Sequence, residues 1–253
     1  MFFFSGRRVQ RGRDNATVTP FTEPTTPYWQ GLLLAADAPR PQAPWRMGYP
    51  AVLPDGRVLM LPIRALAHAP THAVASLLIN QASFEVADGL AVMLAARVAA
   101  LQPELVIGLP TLGLGLAAAV ARHLGHSRFV PMGTSRKFWY DDALSTQVHS
   151  ITSPDVVKRV YLDPHLLPLV RGRRVVIVDD AISSGSTALA PWQLIESLGA
   201  EVLAYGVAMR QGTRWQQALG PERASRVVGV FDSPLLQLAE GGWVERDQRV
   251  APA

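Results

Sequence analysis

Four consecutive β-branched residues, Val175-Val176-Ile177-Val178, limit the folds open to this chain more than any other feature. A strand with one solvent-facing side alternates apolar and polar residues, whereas this run is apolar throughout. Such strands belong to parallel sheets that helices cover on both faces. The run therefore predicts an α/β fold with a central parallel sheet.

The surrounding sequence continues this pattern, because short apolar strands alternate with helices. The predicted strands are Glu104–Leu109, Arg128–Met132, Val156–Leu162, Arg174–Val178, Glu201–Met209 and Arg226–Phe231. The predicted helices are Gly113–His123, Thr187–Leu198 and Arg214–Leu219. Before them, Val52–Pro62 predicts a hairpin, and Ala73–Leu101 predicts a mostly helical segment broken near Asn80–Phe84. The polar segment Gly133–Asp155 interrupts the alternation, and a loop of that length is usually functional or disordered.

Composition narrows the class of protein. Of the 253 residues, 49% are hydrophobic and 17% charged, which suits one large α/β domain or a core with a smaller appendage. The chain has no cysteine, so disulfides, thiolate zinc sites and a cysteine nucleophile are excluded. No apolar run reaches the length of a membrane span, and we expect a cytoplasmic protein without a membrane partner. Arginines within residues 7–13 suggest a solvated arm or a nucleic-acid contact, and the solvated arm is favoured.

A polar loop follows the apolar run and leads into a helix. Asp179 and Asp180 come first, then Ala181-Ile182-Ser183-Ser184-Gly185-Ser186-Thr187. In open α/β sheets, ligands bind beyond the carboxyl ends of the strands. Hydroxyls, a glycine and the N-terminus of a helix together suit a phosphate group.

The two aspartates would repel a phosphate, so they need another part of the ligand. Vicinal sugar hydroxyls can donate hydrogen bonds to them, which predicts a ligand like ribose 5-phosphate. The alternative is a capped strand–helix turn in which Ser and Asp only satisfy backbone groups.

A second candidate phosphate site, Gly113-Leu114-Gly115-Leu116-Ala117-Ala118, matches a dinucleotide fingerprint. That fingerprint needs an acid about 20 residues later, and residues 105–140 contain none.

The segment Val175–Thr187 resembles the signature of type I phosphoribosyltransferases, which bind 5-phosphoribosyl 1-pyrophosphate (PRPP). The family usually has Thr-Gly-Gly-Thr where this chain has Ser184-Gly185-Ser186-Thr187. Leu109–Gly113 occupies the position of the family's pyrophosphate loop. Phe129–Met132, followed by Ser135-Arg136-Lys137, is similar to the entry of the mobile loop in adenine phosphoribosyltransferases. The resemblance spans about residues 80–235.

The resemblance implies a parallel sheet flanked by helices, with a small hood built from the chain termini. It divides the chain into a tail and linker over residues 1–44, a hood segment over 45–79, the core over 80–235 and a C-terminal hood segment over 236–253. It also implies a homodimer.

The implied activity is that of a pentosyltransferase in nucleotide salvage, which moves the phosphoribosyl group of PRPP to a nucleobase, with a purine favoured, and releases pyrophosphate. Asp179 and Asp180 would hold the ribose diol, and Arg136 and Lys137 would neutralise the pyrophosphate once their loop closes. The residues implied to bind PRPP are Thr111, Leu112, Gly113, Ala181, Ser183, Ser184, Gly185, Ser186 and Thr187.

Three implications concern the remaining partners. Phe231 and Asp232 could contact the base, or could be a buried Phe and a turn Asp. Mg²⁺ would bind mainly through PRPP, and Asp141 and Asp142 are further ligands or, more simply, exposed loop charges. A non-catalytic PRPP-binding regulator stays the alternative function: the loop cations favour the enzyme, whereas the basic tail favours the regulator.

Overall fold

The computed structural model describes residues 26–39, 42–149 and 157–247. The strands in chain order are β1 (Gly48–Val52), β2 (Val58–Leu66), β3 (Ala69–Ala75), β4 (Leu105–Gly108), β5 (Val130–Pro131), β6 (Ser145–His149), β7 (Val157–Tyr161), β8 (Arg174–Ile182), β9 (Glu201–Gln211), β10 (Val227–Ser233), β11 (Leu235–Ala239) and β12 (Gly242–Glu245). The helices are α1 (Phe84–Ala99), α2 (Gly113–His123), α3 (Leu167–Val170), α4 (Ser186–Ser197) and α5 (Arg214–Ala224). The predicted basic arm lies outside the described residues.

A five-stranded parallel sheet in the order β10-β9-β8-β4-β5 forms the centre of the fold. Its middle strand, β8, is buried on both faces because its side chains alternate between two cores. Val176 and Val178 pack in the core that contains α1 and α2, whereas Val175 and Ile177 pack in the core that contains α4. The predicted parallel sheet with helices on both faces is confirmed.

A second, antiparallel sheet covers one end of this core, and we call it the hood. Its strand order is β1-β2-β3-β11-β12, so strands from both ends of the described chain lie side by side. Trp45 and Trp243 are buried in it and pair through their backbones. Trp29 is buried in the main core, where its indole N–H donates to the carbonyl of Ser76 at 3.1 Å. The predicted hood from the chain termini is therefore confirmed.

Two predictions are corrected: the strand over residues 157–161 forms but lies in another sheet, and one predicted helical segment begins later. The strand near residues 157–161 does not join the parallel sheet, because β7 pairs antiparallel with β6. A chain that returns without a crossover helix can pair only in this way. The helix predicted from residue 73 begins at Phe84 instead, and Ala69–Ala75 is a strand. Alanine favours helices, but pairing with β2 and β11 decides the conformation there.

The described part of the polar segment, residues 133–149, contains regular structure and is not a continuous loop. It contains a 3₁₀ turn over Asp142–Leu144 and the strand β6, whereas residues 150–155 lie outside the description. Leu144 and Val148 are buried in the α4 side of the core, so their apolar side chains anchor the segment. Among the helices of the described ranges, none is long and apolar enough to cross a bilayer.

Candidate active site

A cleft of about 340 Å³ opens at the carboxyl ends of β4 and β8. Residues from both predicted ligand loops line it, together with residues from the β6–β7 hairpin. The lining consists of Pro110, Thr111, Leu112, Thr134, Val148, Lys158, Val160, Asp179, Asp180, Ala181, Ser183, Ser184 and Thr187. The structure thus brings together most of the residues that the sequence predicted to bind PRPP.

The two aspartates lie on the last part of β8, which continues to Ile182 instead of ending at Val178 as predicted. Asp179 is only 9% exposed, and each of its carboxylate oxygens accepts a hydrogen bond. The backbone N–H of Asp180 donates to Oδ1 at 2.9 Å, and the hydroxyl of Tyr205 donates to Oδ2 at 3.1 Å. Tyr205 is a single aromatic residue in an apolar strand, and no sequence pattern marks it as part of the site.

Burial dominates the electrostatics of this acid pair. It raises the pKa of Asp179 well above the usual value, and the negative charge of Asp180 raises it further. Burial also raises the pKa of Asp180. A ligand hydroxyl that donates to these oxygens would favour their ionised forms. The pair is therefore suited to a polyhydroxylated ligand.

The predicted phosphate loop, Ser183–Thr187, turns sharply at Gly185. The φ of this residue is 82°, in the left-handed region, and Gly185 is the N-cap of α4. A methyl group at this position would lie 3.0 Å from Cβ of Ala218 and 3.2 Å from the carbonyl oxygen of Trp215. Only glycine satisfies both the backbone angle and the space. The hydroxyls of Ser184 and Ser186 lie 2.7 Å apart, beside the N-terminus of the helix.

The second loop, Leu109–Gly113, is in close contact with the acid pair. The Pro110-Thr111 peptide bond is cis. A methyl group on Gly113 would lie 2.7 Å from Cα of Asp179 and 2.9 Å from the carbonyl oxygen of Val178. The start of α2 is therefore packed directly on the backbone of β8.

The predicted loop cations do not line this cleft, and Arg136 pairs elsewhere. The guanidinium of Arg136 donates to Asp142, with Nε 3.0 Å from Oδ1 and Nη2 3.5 Å from Oδ2. Asp141 accepts from the backbone N–H of Ala143 and so caps the 3₁₀ turn. In the part of the chain that the structure describes, neither Arg136 nor Lys137 lines the cleft.

Lys158 is a cation of the cleft that the sequence analysis missed. It belongs to β7, is exposed, and lines the cleft beside Val160. The segment was interpreted as a strand of the central sheet, which would have hidden this side chain. A lysine within an apolar strand was the available signal.

The predicted base contacts lie away from the acid pair. Phe231 is buried in the main core, which agrees with its alternative interpretation as a buried Phe. Asp232 accepts two hydrogen bonds from Arg210, at 2.7 and 3.0 Å. It lines a second cleft of about 390 Å³ between the hood and the ends of β9 and β10.

This second cleft also contains Tyr49, Trp215 and Glu245. Burial raises the pKa of Tyr49 to about 12, and the charges of Glu245 and Asp232 contribute to the rise. The phenol therefore stays protonated and can donate a hydrogen bond. The backbone of Trp215 faces Gly185 of the phosphate loop, so one short segment separates the two clefts.

Comparisons with known proteins concern the family of the chain. A family model described as "Phosphoribosyl transferase domain" matches residues 73–225, more than half of the chain. The adenine phosphoribosyltransferase of Synechococcus sp. (strain JA-3-3Ab) is 34% identical over 131 residues, which cover 51% of this chain and 71% of that protein.

Solved structures show the same fold. Adenine phosphoribosyltransferase from Rhodothermus marinus superposes with a TM-score of 0.52 at 20% identity. The enzyme from Giardia lamblia, complexed with 9-deazaadenine, superposes with a TM-score of 0.55 at 16% identity. Each match covers 68% of this chain and 93% of the other.

Proposed function

This chain belongs to the family of phosphoribosyl transferase domains. We propose that it transfers the 5-phosphoribosyl group of PRPP to a purine base and that adenine is the preferred acceptor. Membership makes the chain a PRPP-dependent pentosyltransferase. One observation carries the assignment of the site: the Leu109–Gly113 loop is packed against Asp179 in a single cleft with the phosphate loop.

The acid pair recognises the ribose in this proposal. Asp179 and Asp180 accept hydrogen bonds from the vicinal hydroxyls. They also place negative charge near the anomeric carbon, where positive charge develops as the bond to pyrophosphate breaks. A base nitrogen supplies the electron pair for the new bond, and the electrons of the broken bond leave with pyrophosphate. Catalysis then depends on positioning and on charge stabilisation.

The two loops hold opposite ends of the substrate. The 5-phosphate binds to hydroxyls and backbone N–H groups of Ser183–Thr187 at the start of α4. The pyrophosphate binds to the backbone of Thr111–Gly113. Lys158 already lines the cleft and contributes a positive charge there, whereas Arg136 and Lys137 contribute theirs when the segment that carries them closes over the substrate.

Mg²⁺ accompanies PRPP in this proposal and binds mainly through the oxygens of the substrate. The cleft fits such a complex, because hydroxyl and carboxylate oxygens form most of its polar lining and Mg²⁺ prefers oxygen donors. When bound, the ion would neutralise part of the negative charge of the pyrophosphate. Across residues 26–39, 42–149 and 157–247, no group of three or more His, Asp or Glu side chains could hold a metal ion.

We assign the acceptor base to the second cleft, where Asp232 lies. Tyr49 donates a hydrogen bond to a ring nitrogen, and the carboxylates of Asp232 and Glu245 accept from an exocyclic amino group. Adenine carries that amino group. Hypoxanthine carries a carbonyl oxygen at the same position, which the carboxylate of Glu245 disfavours, whereas Arg210 already offsets the charge of Asp232. The adenine phosphoribosyltransferases among the relatives support this choice.

Family membership favours the enzyme over the non-catalytic PRPP-binding regulator that the acid pair alone left open. The homodimer, the cytoplasmic location and the division into a core over residues 80–235 with hood segments over 45–79 and 236–253 stay predictions.

The test combines calorimetry with a transfer assay. Replacing Asp179 or Asp180 by Asn should weaken binding of magnesium-PRPP about ten- to a hundredfold, since a hydrogen bond to a charged group contributes about 1.5–3 kcal/mol. The matched control is Asp55→Asn, which removes a carboxylate from the hood turn, where it binds Arg57. Unchanged binding in the Asp179→Asn/Asp180→Asn double variant would refute the site.

Pyrophosphate release is then measured with adenine, guanine, hypoxanthine, xanthine, uracil and orotate. We expect adenine to react fastest. Release with uracil or orotate but with no purine would contradict the assignment of the acceptor.

A further inference from the structure

Two stacked aromatic rings, which we call the aromatic column, extend from Asp179, and neither of them lines the cleft. Tyr205 comes from the middle of β9, and its side chain is completely buried. Its hydroxyl donates to Oδ2 of Asp179 at 3.1 Å. Trp192 of α4 stacks on the tyrosine ring, with centroids 6.0 Å apart and planes only 5° from parallel.

The far end of this column is held by charged groups. The guanidinium carbon of Arg226 lies 5.0 Å from the centre of the Trp192 ring, in a cation–π arrangement. The indole N–H of Trp192 donates to Glu196 at 2.7 Å, and Arg223 donates to the other oxygen of Glu196 at 2.8 Å. These polar contacts anchor the indole of Trp192, and its ring in turn supplies a flat surface against which Tyr205 stacks.

The hydroxyl is what distinguishes this residue from a core phenylalanine. A buried phenol without a partner carries a desolvation cost, so a tyrosine at this position needs an acceptor. The acceptor is Asp179, whose other oxygen accepts from the backbone of Asp180. Each carboxylate oxygen thus has one protein donor, and the remaining lone pairs have defined directions.

We propose that Tyr205 is a positioning residue of the PRPP site, which holds the carboxylate of Asp179 in the orientation that receives the ribose diol. The inference rests on the proposed function for the identity of the ligand. Tyr205 does not touch the substrate and acts only through Asp179.

The hydrogen bond also affects protonation. A donor favours the ionised carboxylate, so the Tyr205 hydroxyl lowers the pKa of Asp179 and opposes burial and the charge of Asp180, which raise it. The other charged group that lines the cleft is Lys158, and residues 110–121, on the side of α2, carry no titratable side chain. Removing the hydroxyl should therefore raise the pKa of Asp179, and the carboxylate should be lost earlier as the pH falls.

The decisive variant is Tyr205→Phe, which keeps the ring and its stacking and removes only the hydroxyl. We expect magnesium-PRPP to bind about tenfold more weakly at neutral pH, and the difference from the wild type to grow as the pH falls. In the Asp179→Asn background the same change should cost no more than about twofold, because the residue acts through that carboxylate. Trp192→Phe is the packing control: it should lower the melting temperature without this pH dependence.

A second readout needs no substrate. The carboxyl carbon of Asp179 is followed by ¹³C NMR in aspartate-labelled protein and assigned by its loss in Asp179→Asn. Its titration midpoint should be higher in Tyr205→Phe than in the wild type, and unchanged in Trp192→Phe.

An unchanged titration midpoint of Asp179 in Tyr205→Phe would overturn the inference. If the wild type binds PRPP, the same PRPP affinity in Tyr205→Phe at every pH would also overturn it. A raised midpoint in a protein that binds no PRPP would support the contact and refute the proposed function instead.

Discussion

Replacing Gly113 by alanine tests the contact that joins the two ligand loops. The added methyl carbon would lie 2.7 Å from Cα of Asp179 and 2.8 Å from its Oδ1, whereas carbon atoms in contact prefer about 3.5–4.0 Å. The start of α2 or the end of β8 must move by about 1 Å to relieve this overlap. Overpacking of this kind costs about 1–3 kcal/mol, and the movement should displace the carboxylate that we propose holds the ribose.

The chain offers a matched control two residues away. A methyl group on Gly115, in the same helix, would meet Oδ1 of Asn80 at an ordinary 3.7 Å. Gly115→Ala should be neutral or stabilise the protein by up to about 1 kcal/mol, because alanine favours the helix.

The assays are thermal or urea unfolding and calorimetry with magnesium-PRPP. We expect Gly113→Ala to lose both stability and affinity while Gly115→Ala keeps both. Equal stability and affinity in the two variants would refute the argument that α2 is packed hard against β8.

The other predictions concern charge and backbone. Lys158→Met should weaken binding of magnesium-PRPP roughly three- to tenfold at low salt in calorimetry, and less at high salt because the side chain is exposed; an effect independent of salt would contradict a charge contact. Gly185→Ala should destabilise the protein by about 1–3 kcal/mol in urea unfolding. Gly125→Ala is the control, because Gly125 has a similar φ of 79° but no atom near the added methyl group. Equal losses of stability in the two variants would show that the backbone angle alone, and not steric overlap, causes the destabilisation. Arg136→Ala and Lys137→Ala should each lower turnover far more than PRPP affinity, by a few kcal/mol in activation free energy, because pyrophosphate gains charge towards the transition state. Equal losses of turnover and of PRPP affinity would show that these cations bind the substrate in its ground state and do not stabilise the transition state further.

The predictions that succeeded rested on residue patterns within single helices, strands and turns. The apolar residues of β8 and the small residues of α2 determine their own conformation, and α2 spans the predicted Gly113–His123. Gly185 marked its turn, because few other residues adopt a left-handed angle in so little space.

The failures all depended on contacts with another segment or side chain, which the pattern of a single segment does not encode. Nothing within β7 indicates that β6 is its partner, so the position of Lys158 in the cleft was hidden. Tyr205 acts through Asp179, which lies on another strand, and a single buried tyrosine gives no pattern to detect. The ion pair between Arg136 and Asp142 was equally invisible, since loop charges have many possible partners.

The pairing of β3 with β11 has a consequence for the order of assembly. During synthesis the first three hood strands emerge well before β11, so one edge of β3 stays unsatisfied until the last part of the chain is made. The ribose-phosphate cleft needs nothing beyond β9 and α4, whereas the second cleft needs Glu245 from β12. Under the proposed function, a nascent chain therefore completes the site for the donor sugar before it completes the site for the acceptor.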